Sequence, residues 1–280
     1  MSIQYPLVEA PASAPLARRL TLREEVVKFI RTKPLGAAGA VVILAMMFVA
    51  AFAGTLARYD PYEGDYALQF ARPSAEHWLG TDEFGRDLLT RIMYGARIAL
   101  FVGFTASFAG CTLGALLGVL SAYWGGTVDL LLERLMDILL AFPQLVLALA
   151  IVSILGPAVQ NVVVAITIPI IPRVARVVRA TALSVKEHQY VEAVQALGAR
   201  RWRVVFQHIV PNVMTPYLIM LTAQLGGAIL AEAALSYLGL GTADPTPSWG
   251  LMLSGSAPLY AEKAPWMAVF PGVAISLGVF

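Results

Sequence analysis

Residues 138–172 read ILLAFPQLVLALAIVSILGPAVQNVVVAITIPIIP, a stretch without a single charged side chain. A membrane-spanning helix needs about 20 apolar residues, so this stretch is longer than one crossing requires. The dipeptide Gly156-Pro157 is typical of a turn, and the polar Asn161 follows it. The stretch therefore predicts two spanning helices joined by a tight hairpin, in a protein that is embedded in a membrane.

The composition of the whole chain agrees with a membrane protein. Of its 280 residues, 58% are hydrophobic and only 14% are charged, whereas an ordinary soluble domain has about 25% charged residues. Further apolar runs extend over residues 35–57, 98–124, 212–231 and 265–280, the last of them short for a complete crossing. Together the runs predict an all-α membrane protein with six transmembrane helices.

The distribution of Lys and Arg predicts a cytoplasmic N-terminus, because positive residues beside short loops stay on the cytoplasmic side. With the tail 1–34 inside, the segments 1–34, 125–137 and 173–211 are all internal and hold fourteen of the twenty Lys and Arg residues. Residues 35–57 are then an uncleaved first transmembrane helix, and 58–97 is an extracytoplasmic loop. Arg86, Arg91 and Arg97 in that loop are exceptions to the rule.

No ionisable residue lies in the middle of a predicted span, which argues against a transporter that is itself coupled to protons or ions. Gln144, Thr222 and Gln224 are the polar residues that remain. They are candidates for lining a translocation path, and hydrogen bonding between helices is the alternative. Glu232, near the end of the fifth span, is a candidate for an outer gate, with a re-entrant turn anchored by Trp249 as the alternative.

The inner loop 173–211 is too long and too regular for a simple connection. Ser184 and Glu187 fit a capping box that would start a helix at about Val185. Apolar or small residues then recur at helical spacing at Tyr190, Ala193, Val194 and Leu197, and Gly198 follows where a left-handed C-cap would end the helix. Such a helix either rests on lipid or docks a cytoplasmic partner through its small residues and Glu192.

Glu192-Ala193-Val194, with Gly198 four residues later and His208-Ile209-Val210-Pro211-Asn212 beyond it, resembles the EAA loop of binding-protein-dependent ABC importer permeases. Val194 replaces the third alanine of that motif. The resemblance implies a coupling helix between the fourth and fifth spans that inserts into a groove on an ATPase subunit. The residues that it assigns to ATPase coupling are Glu192, Ala193, Val194, Ala196, Leu197 and Gly198.

The flanking sequence extends this resemblance. Residues 77–82, 85–87 and 94–97, then 231–241, 245–250 and 265–272, are similar to the C-type subunit of dipeptide, oligopeptide and nickel permeases. Members of that family complete the last helix and end in a short cytoplasmic tail, whereas this sequence stops at Phe280 within an apolar run, either by truncation or by an early end.

The resemblance implies a type I ABC importer permease with its core in residues 98–280, located in the cytoplasmic membrane. Its expected partners are a B-type permease subunit, two cytoplasmic ATP-binding subunits and an extracytoplasmic solute-binding protein. ATP and Mg would be bound by the ATPase subunits, and this chain would bind no cofactor or metal. Di- or oligopeptides are the expected solutes, without the sequence distinguishing them from nickel complexes.

Other functional classes find less support in the sequence. The chain has no G-x-x-x-x-G-K-[ST] phosphate loop, so we expect no ATP hydrolysis of its own. The three histidines are far apart, and the single Cys111 excludes a disulfide and is expected to pack as a small apolar residue. We expect no catalytic residues and no nucleic-acid partner. A self-contained channel or secondary transporter remains the alternative function.

Overall fold

A computed structural model of the chain describes residues 21–254, 260 and 262–280. The first twenty residues of the predicted tail, Arg18 and Arg19 among them, lie outside the described residues. Within these ranges the chain is helical, and its only β-type pairing is an isolated bridge between Thr81 and Asp87. The prediction of an all-α protein is confirmed.

The described helices, in chain order, are α1 Leu22–Thr32, α2 Pro34–Leu56, α3 Leu88–Trp124, α4 Gly126–Leu140, α5 Gln144–Leu155, α6 Val159–Lys186, α7 Gln189–Ala196, α8 Arg201–Val204, α9 Val210–Tyr237, α10 Trp249–Leu253 and α11 Trp266–Val279. A π-helical turn, Val205–Ile209, joins α8 to α9, and a short 3-10 helix, Tyr66–Leu68, lies between α2 and α3.

The chain divides into two compact units, Met1–Val41 and Val42–Phe280. In the first unit, the predicted polar tail contains a helix, α1, which begins with a capping box. The Thr21 hydroxyl accepts the Glu24 amide hydrogen at 3.4 Å, and the Glu24 carboxylate accepts the Thr21 amide hydrogen at 2.9 Å. Arg23, Lys28 and Arg31 make this helix basic.

Four helical segments are long and apolar enough to cross a membrane: α2, α3, α6 and the continuous run Arg201–Tyr237. The pair α4 and α5 would be a fifth span if its 89° bend is counted within one crossing, and α11 is a shorter apolar helix of 14 residues. A multi-pass membrane protein is therefore confirmed. The prediction of six transmembrane helices is not confirmed by the described part of the chain.

The third span differs from the prediction because the chain breaks at Pro143. Proline lacks an amide hydrogen and disfavours helical backbone in the residue before it, so α4 stops at Leu140 and α5 starts again at Gln144. With 12 residues, α5 is about 18 Å long, too short to cross an apolar layer of about 30 Å alone.

The predicted hairpin at Gly156-Pro157 is confirmed. Gly156 has a φ of 89°, in the left-handed region that favours glycine. The Asn161 side-chain amide donates hydrogen bonds to the carbonyls of Leu155 and Gly156, at 2.8 and 3.0 Å. Asn161 thus binds carbonyl groups that the end of α5 leaves free.

Two helices are longer than predicted. The Asp87 carboxylate caps α3 by accepting the Thr90 amide hydrogen at 2.8 Å, so this helix begins ten residues before Ile98. Helix α6 continues past Pro172 to Lys186 and absorbs the first third of the predicted inner loop. The predicted helix start at Val185 is therefore wrong, because the chain is already helical there and α7 begins at Gln189.

Helices α3 and α6 form the centre of the second unit. A Cβ placed on Gly114 would lie 2.7 Å from the Ile171 carbonyl oxygen, and one on Gly118 would lie 2.5 Å from the Ala175 carbonyl oxygen. The two backbones are therefore in direct contact, as small residues at four-residue spacing permit. Cys111 is fully buried in the apolar core between these helices, as expected.

Candidate functional site

Helix α7 presents most of its predicted docking residues on the surface. Glu192, Ala193, Ala196 and Gly198 are exposed, and Leu197 is 88% exposed. The residues that anchor the helix are instead Val191, which is fully buried, and Val194, which is half-buried against the core. Of the predicted apolar face, Tyr190, Ala193 and Leu197 are exposed and only Val194 packs against the core, because the buried stripe runs through Val191 and Val194.

The end of α7 has the geometry that the sequence predicted. Gly198 has a φ of 81°, its amide donates to the Gln195 carbonyl at 2.9 Å, and the Ala199 amide donates to the Val194 carbonyl at 3.2 Å. These two bonds define a Schellman motif. A Cβ on Gly198 would meet no atom within 4 Å, so the surface beside this glycine is open to a partner.

Side chains connect α7 to the start of the long helix α9. The Asn212 side-chain amide donates to the Tyr190 hydroxyl at 3.3 Å and to the His208 carbonyl at 2.6 Å. The Tyr190 and His208 rings are 5.9 Å apart. The π-helical turn that contains His208 directly precedes Pro211, which cannot donate a backbone hydrogen bond. The Tyr190–Asn212 hydrogen bond and the ring contact thus join α7 to the start of α9.

Ion pairs fasten α4 to the C-terminal half of α6. Arg179 donates to the Asp129 carboxylate through Nε and Nη2, each at 2.6 Å, and its Nε is 3.5 Å from Glu133. Arg176 pairs with Asp137. Acidic residues spaced four apart on α4 thus face basic residues spaced three apart on α6. These ion pairs were not predicted, although the regular spacing of the acidic and basic residues is visible in the sequence.

Two of the predicted path residues line one groove. An open groove of about 310 Å³ between α5, α6 and α9 contains Gln144 and Gln224. Its walls are otherwise apolar, except for Arg173, whose Nη1 donates to the Gln144 side-chain oxygen at 2.7 Å. Thr222 does not line this groove, and its hydroxyl donates to the Leu218 and Ile219 carbonyls of its own helix.

Arg173 is a functional candidate that the sequence reasoning missed. It was assigned to a loop, whereas it lies fourteen residues after the first and thirteen before the last residue of α6. The sequence did not reveal that the helix continues past residue 172. The Lys and Arg residues that follow are as compatible with a polar loop as with a longer helix.

Glu232 is buried on another side of α9, away from the groove. Its carboxylate accepts hydrogen bonds from the hydroxyls of Ser236 and Ser248 at 2.7 and 2.9 Å, and the side chain is almost fully buried. The neighbouring Trp249 indole donates to the Ile92 carbonyl at 2.9 Å. This position favours the anchored turn over a path-lining role for Glu232.

The predicted extracytoplasmic loop is held by buried charges. Asp82 contacts Arg86 at 2.6 Å and Arg91 at 3.5 Å, while Arg86 reaches Asp244 at 3.3 Å. Arg91 also donates to the Pro61 carbonyl at 2.9 Å. Two of the three exceptions to the positive-inside rule are therefore neutralised by carboxylates.

The histidines contribute to packing in the described part of the chain. His77 Nδ1 lies 3.0 Å from Asp87, the cap of α3. The rings of His188 and His208 both lie within 6 Å of the Tyr190 ring. Among the residues described, no group of three or more His, Cys, Asp or Glu side chains is arranged to hold a metal ion.

Comparison with known proteins identifies close relatives. Residues 114–280 match the family model described as "binding-protein-dependent transport system inner membrane component". The chain is 42% identical over 255 residues to the dipeptide transport system permease protein DppC of Alkalihalophilus pseudofirmus, which covers 91% of this chain and 84% of that protein.

Two further relatives cover similar lengths. The di/tripeptide transport system permease protein DppC of Pseudomonas aeruginosa is 41% identical over 278 residues, 96% of this chain and 91% of that protein. The glutathione transport system permease protein GsiD of Pectobacterium atrosepticum is 39% identical over 253 residues, 90% of this chain and 83% of that protein.

Proposed function

The chain belongs to the family of binding-protein-dependent transport system inner membrane components, and we propose that it is the C-type permease subunit of an ATP-driven peptide importer. The observation that carries this proposal is the exposed end of α7. All of its docking residues except Val194 are exposed, and Tyr190 of the same helix accepts a hydrogen bond from Asn212 at the start of α9. A helix of this kind can receive a force from one protein and pass it to the membrane-spanning core.

In the proposed topology the N-terminus and α7 lie in the cytoplasm, and the protein resides in the cytoplasmic membrane. The topology has six crossings. They are α2, α3, the broken span formed by α4 and α5, α6, α9 and α11. The ion pairs between α4 and α6 support this orientation, since they join two of the Lys- and Arg-containing segments that the topology places inside.

The importer would contain a B-type permease subunit, two ATP-binding subunits that bind ATP and Mg, and an extracytoplasmic solute-binding protein. Nucleotide-driven closure of the ATP-binding subunits would move Glu192, Ala193, Val194, Ala196, Leu197 and Gly198 together. Tyr190 and Asn212 would pass that displacement to α9. The result is a shift between outward-open and inward-open packings of the helices, which is alternating access.

Peptides are the proposed solutes. The relatives bear the names of dipeptide, di/tripeptide and glutathione permeases. Glutathione is itself a short peptide, so all three names describe small polar molecules with peptide bonds and free carboxylates. The groove that holds Gln144 and Gln224 offers hydrogen-bonding groups of the kind that such molecules need.

A self-contained channel or secondary transporter is the alternative. It would need no ATP-binding partner, and the exposed surface of α7 would then serve no transport step. Reconstitution separates the two. The purified chain alone, the two permease subunits, and the full complex with ATP-binding subunits and binding protein are placed in liposomes, and uptake of a labelled dipeptide is measured.

We expect uptake only from the full complex and only with ATP. Uptake by the chain alone, or uptake by the full complex that does not depend on ATP, would contradict the proposed function.

A further inference from the structure

Arg173 occupies an unusual position for a charged residue. It lies at the midpoint of α6, a helix of 28 residues and therefore about 42 Å long. Charged residues are rare within helices that are long enough to cross a membrane. Such residues almost always face the interior of a bundle or a water-filled cavity and serve a function. Arg173 indeed faces the groove with Gln144 and Gln224.

The other two arginines of α6 are paired with carboxylates, and Arg173 is not. Arg176 and Arg179 pair with carboxylates of α4, and the Lys186 ammonium donates to the Ala122 and Tyr123 carbonyls. Arg173 bonds only the uncharged side chain of Gln144, and no carboxylate of the described residues lies within ion-pair distance of it.

The groove around Arg173 has space for a charged ligand. Its volume of about 310 Å³ is within the range of small-molecule sites, roughly 300 to 1,000 Å³. Only one of the five guanidinium N–H groups is used by Gln144. The remaining fork of donors matches the two oxygens of a carboxylate, which arginine binds in a bidentate manner.

We propose that Arg173, with Gln144 and Gln224, binds the free carboxylate of the solute as it passes through the membrane. This inference rests on the proposed function, because it takes a peptide as the solute. The terminal carboxylate is the group that peptides share whatever their side chains, so one fixed cation can hold many of them. Gln144 positions the guanidinium. The apolar walls form no specific hydrogen bonds with the side chains of the solute, so these side chains can vary.

A lipid phosphate is one competing ligand for Arg173, and it would leave the transport of peptide acid and peptide amide equal. A carboxylate of the second permease subunit is the other competitor. It would bind Arg173 permanently and would hold the subunits together.

The test uses the complete importer in liposomes, with the binding protein saturated by labelled alanyl-alanine or by its C-terminal amide. Arg173→Gln removes the charge. Arg173→Lys keeps the charge but lacks the paired N–H donors that bind both oxygens of a carboxylate. The control combines Arg176→Gln with Asp137→Asn, which neutralises an ion pair one turn away without altering the groove. Assembly of each complex is measured by co-purification of the subunits.

We expect Arg173→Gln to lower the maximal uptake rate of alanyl-alanine about tenfold or more, as for loss of a hydrogen bond to a charged group. The lysine variant should retain a large part of the rate, and the control should be within about twofold of the unaltered complex. The ratio of acid to amide uptake should exceed one in the unaltered complex and fall to about one in Arg173→Gln.

Three results would overturn the inference. The first is an unchanged rate or an unchanged acid-to-amide ratio in Arg173→Gln. The second is loss of the second permease subunit from that variant, which would assign the carboxylate to the partner. The third is an unaltered complex that transports acid and amide equally. If the unaltered complex imports neither peptide, the proposed function fails instead, and the two failures are thereby distinguished.

Discussion

Gly198→Asp tests whether the open end of α7 is a docking surface. The substitution adds a negative side chain at a residue with a φ of 81° and no atom within 4 Å of the new Cβ. The backbone conformation costs about 1 to 2 kcal/mol for a residue with a side chain, and Asp is among those that accept it most readily. The variant should therefore fold and insert normally.

Docking should respond far more strongly than folding does. A carboxylate brought without a partner into a buried protein contact costs at least about 2 kcal/mol, which weakens association about 30-fold or more. Retention of the ATP-binding subunits on the immobilised permease in detergent, measured over a range of their concentrations, gives this number directly. ATP-driven uptake should be lost in parallel.

The chain supplies a matched control at the end of α9. Gly239 has a φ of 76°, nothing lies within 4 Å of its Cβ position, and the Leu240 amide donates to the Leu235 carbonyl at 2.9 Å in the same motif. Gly239→Asp thus has the same backbone cost and the same added charge at a place remote from α7 in the sequence. Equal retention of the ATP-binding subunits by both variants would refute the docking role.

Three further predictions concern the stability of the core, measured as the thermal unfolding midpoint of the purified protein. Glu232→Ala leaves two buried serine hydroxyls without an acceptor and should cost about 1 to 3 kcal/mol. Glu232→Gln retains an acceptor and should cost less. Equal losses of stability in the two variants would contradict the role of Glu232 as the acceptor. Asp129→Arg should destabilise the protein by leaving two cations in contact, and adding Arg179→Asp should restore much of the midpoint; no recovery in the double variant would argue against the pair. Gly118→Leu forces α3 away from α6 and should prevent folding or strongly lower the midpoint. Gly272→Leu, whose side chain meets open space, should not. Similar effects at both sites would refute the close contact between α3 and α6.

The local features of the chain were predictable because short-range chemistry decides them. A glycine–proline turn needs only its own dihedral angles, so the hairpin at Gly156 was correctly placed. The same holds for the left-handed cap at Gly198. The membrane class followed from the lengths of the uncharged runs, because a bilayer leaves backbone polar groups no partner outside a helix.

Helix lengths and pairings could not be read in this way. A charged residue ended the predicted fourth span, because a charge in lipid is costly, yet α6 continues through Arg173, Arg176 and Arg179. These arginines bind carboxylates on α4 and the side chain of Gln144, none of which is near them in sequence. The bend between α4 and α5 likewise follows from a proline whose effect a hydropathy pattern does not register.

The sequence alone determined that this is a helical membrane protein, where its turns lie and to which family its motifs point, since these depend on neighbouring residues. The tertiary structure alone decided which side chains share a surface. It brought Gln144, Gln224 and Arg173 to one groove, buried Glu232 against Ser236 and Ser248, and exposed the end of α7. The physical reason is that contacts between distant segments depend on how helices pack, and a residue's own neighbours carry no record of that packing.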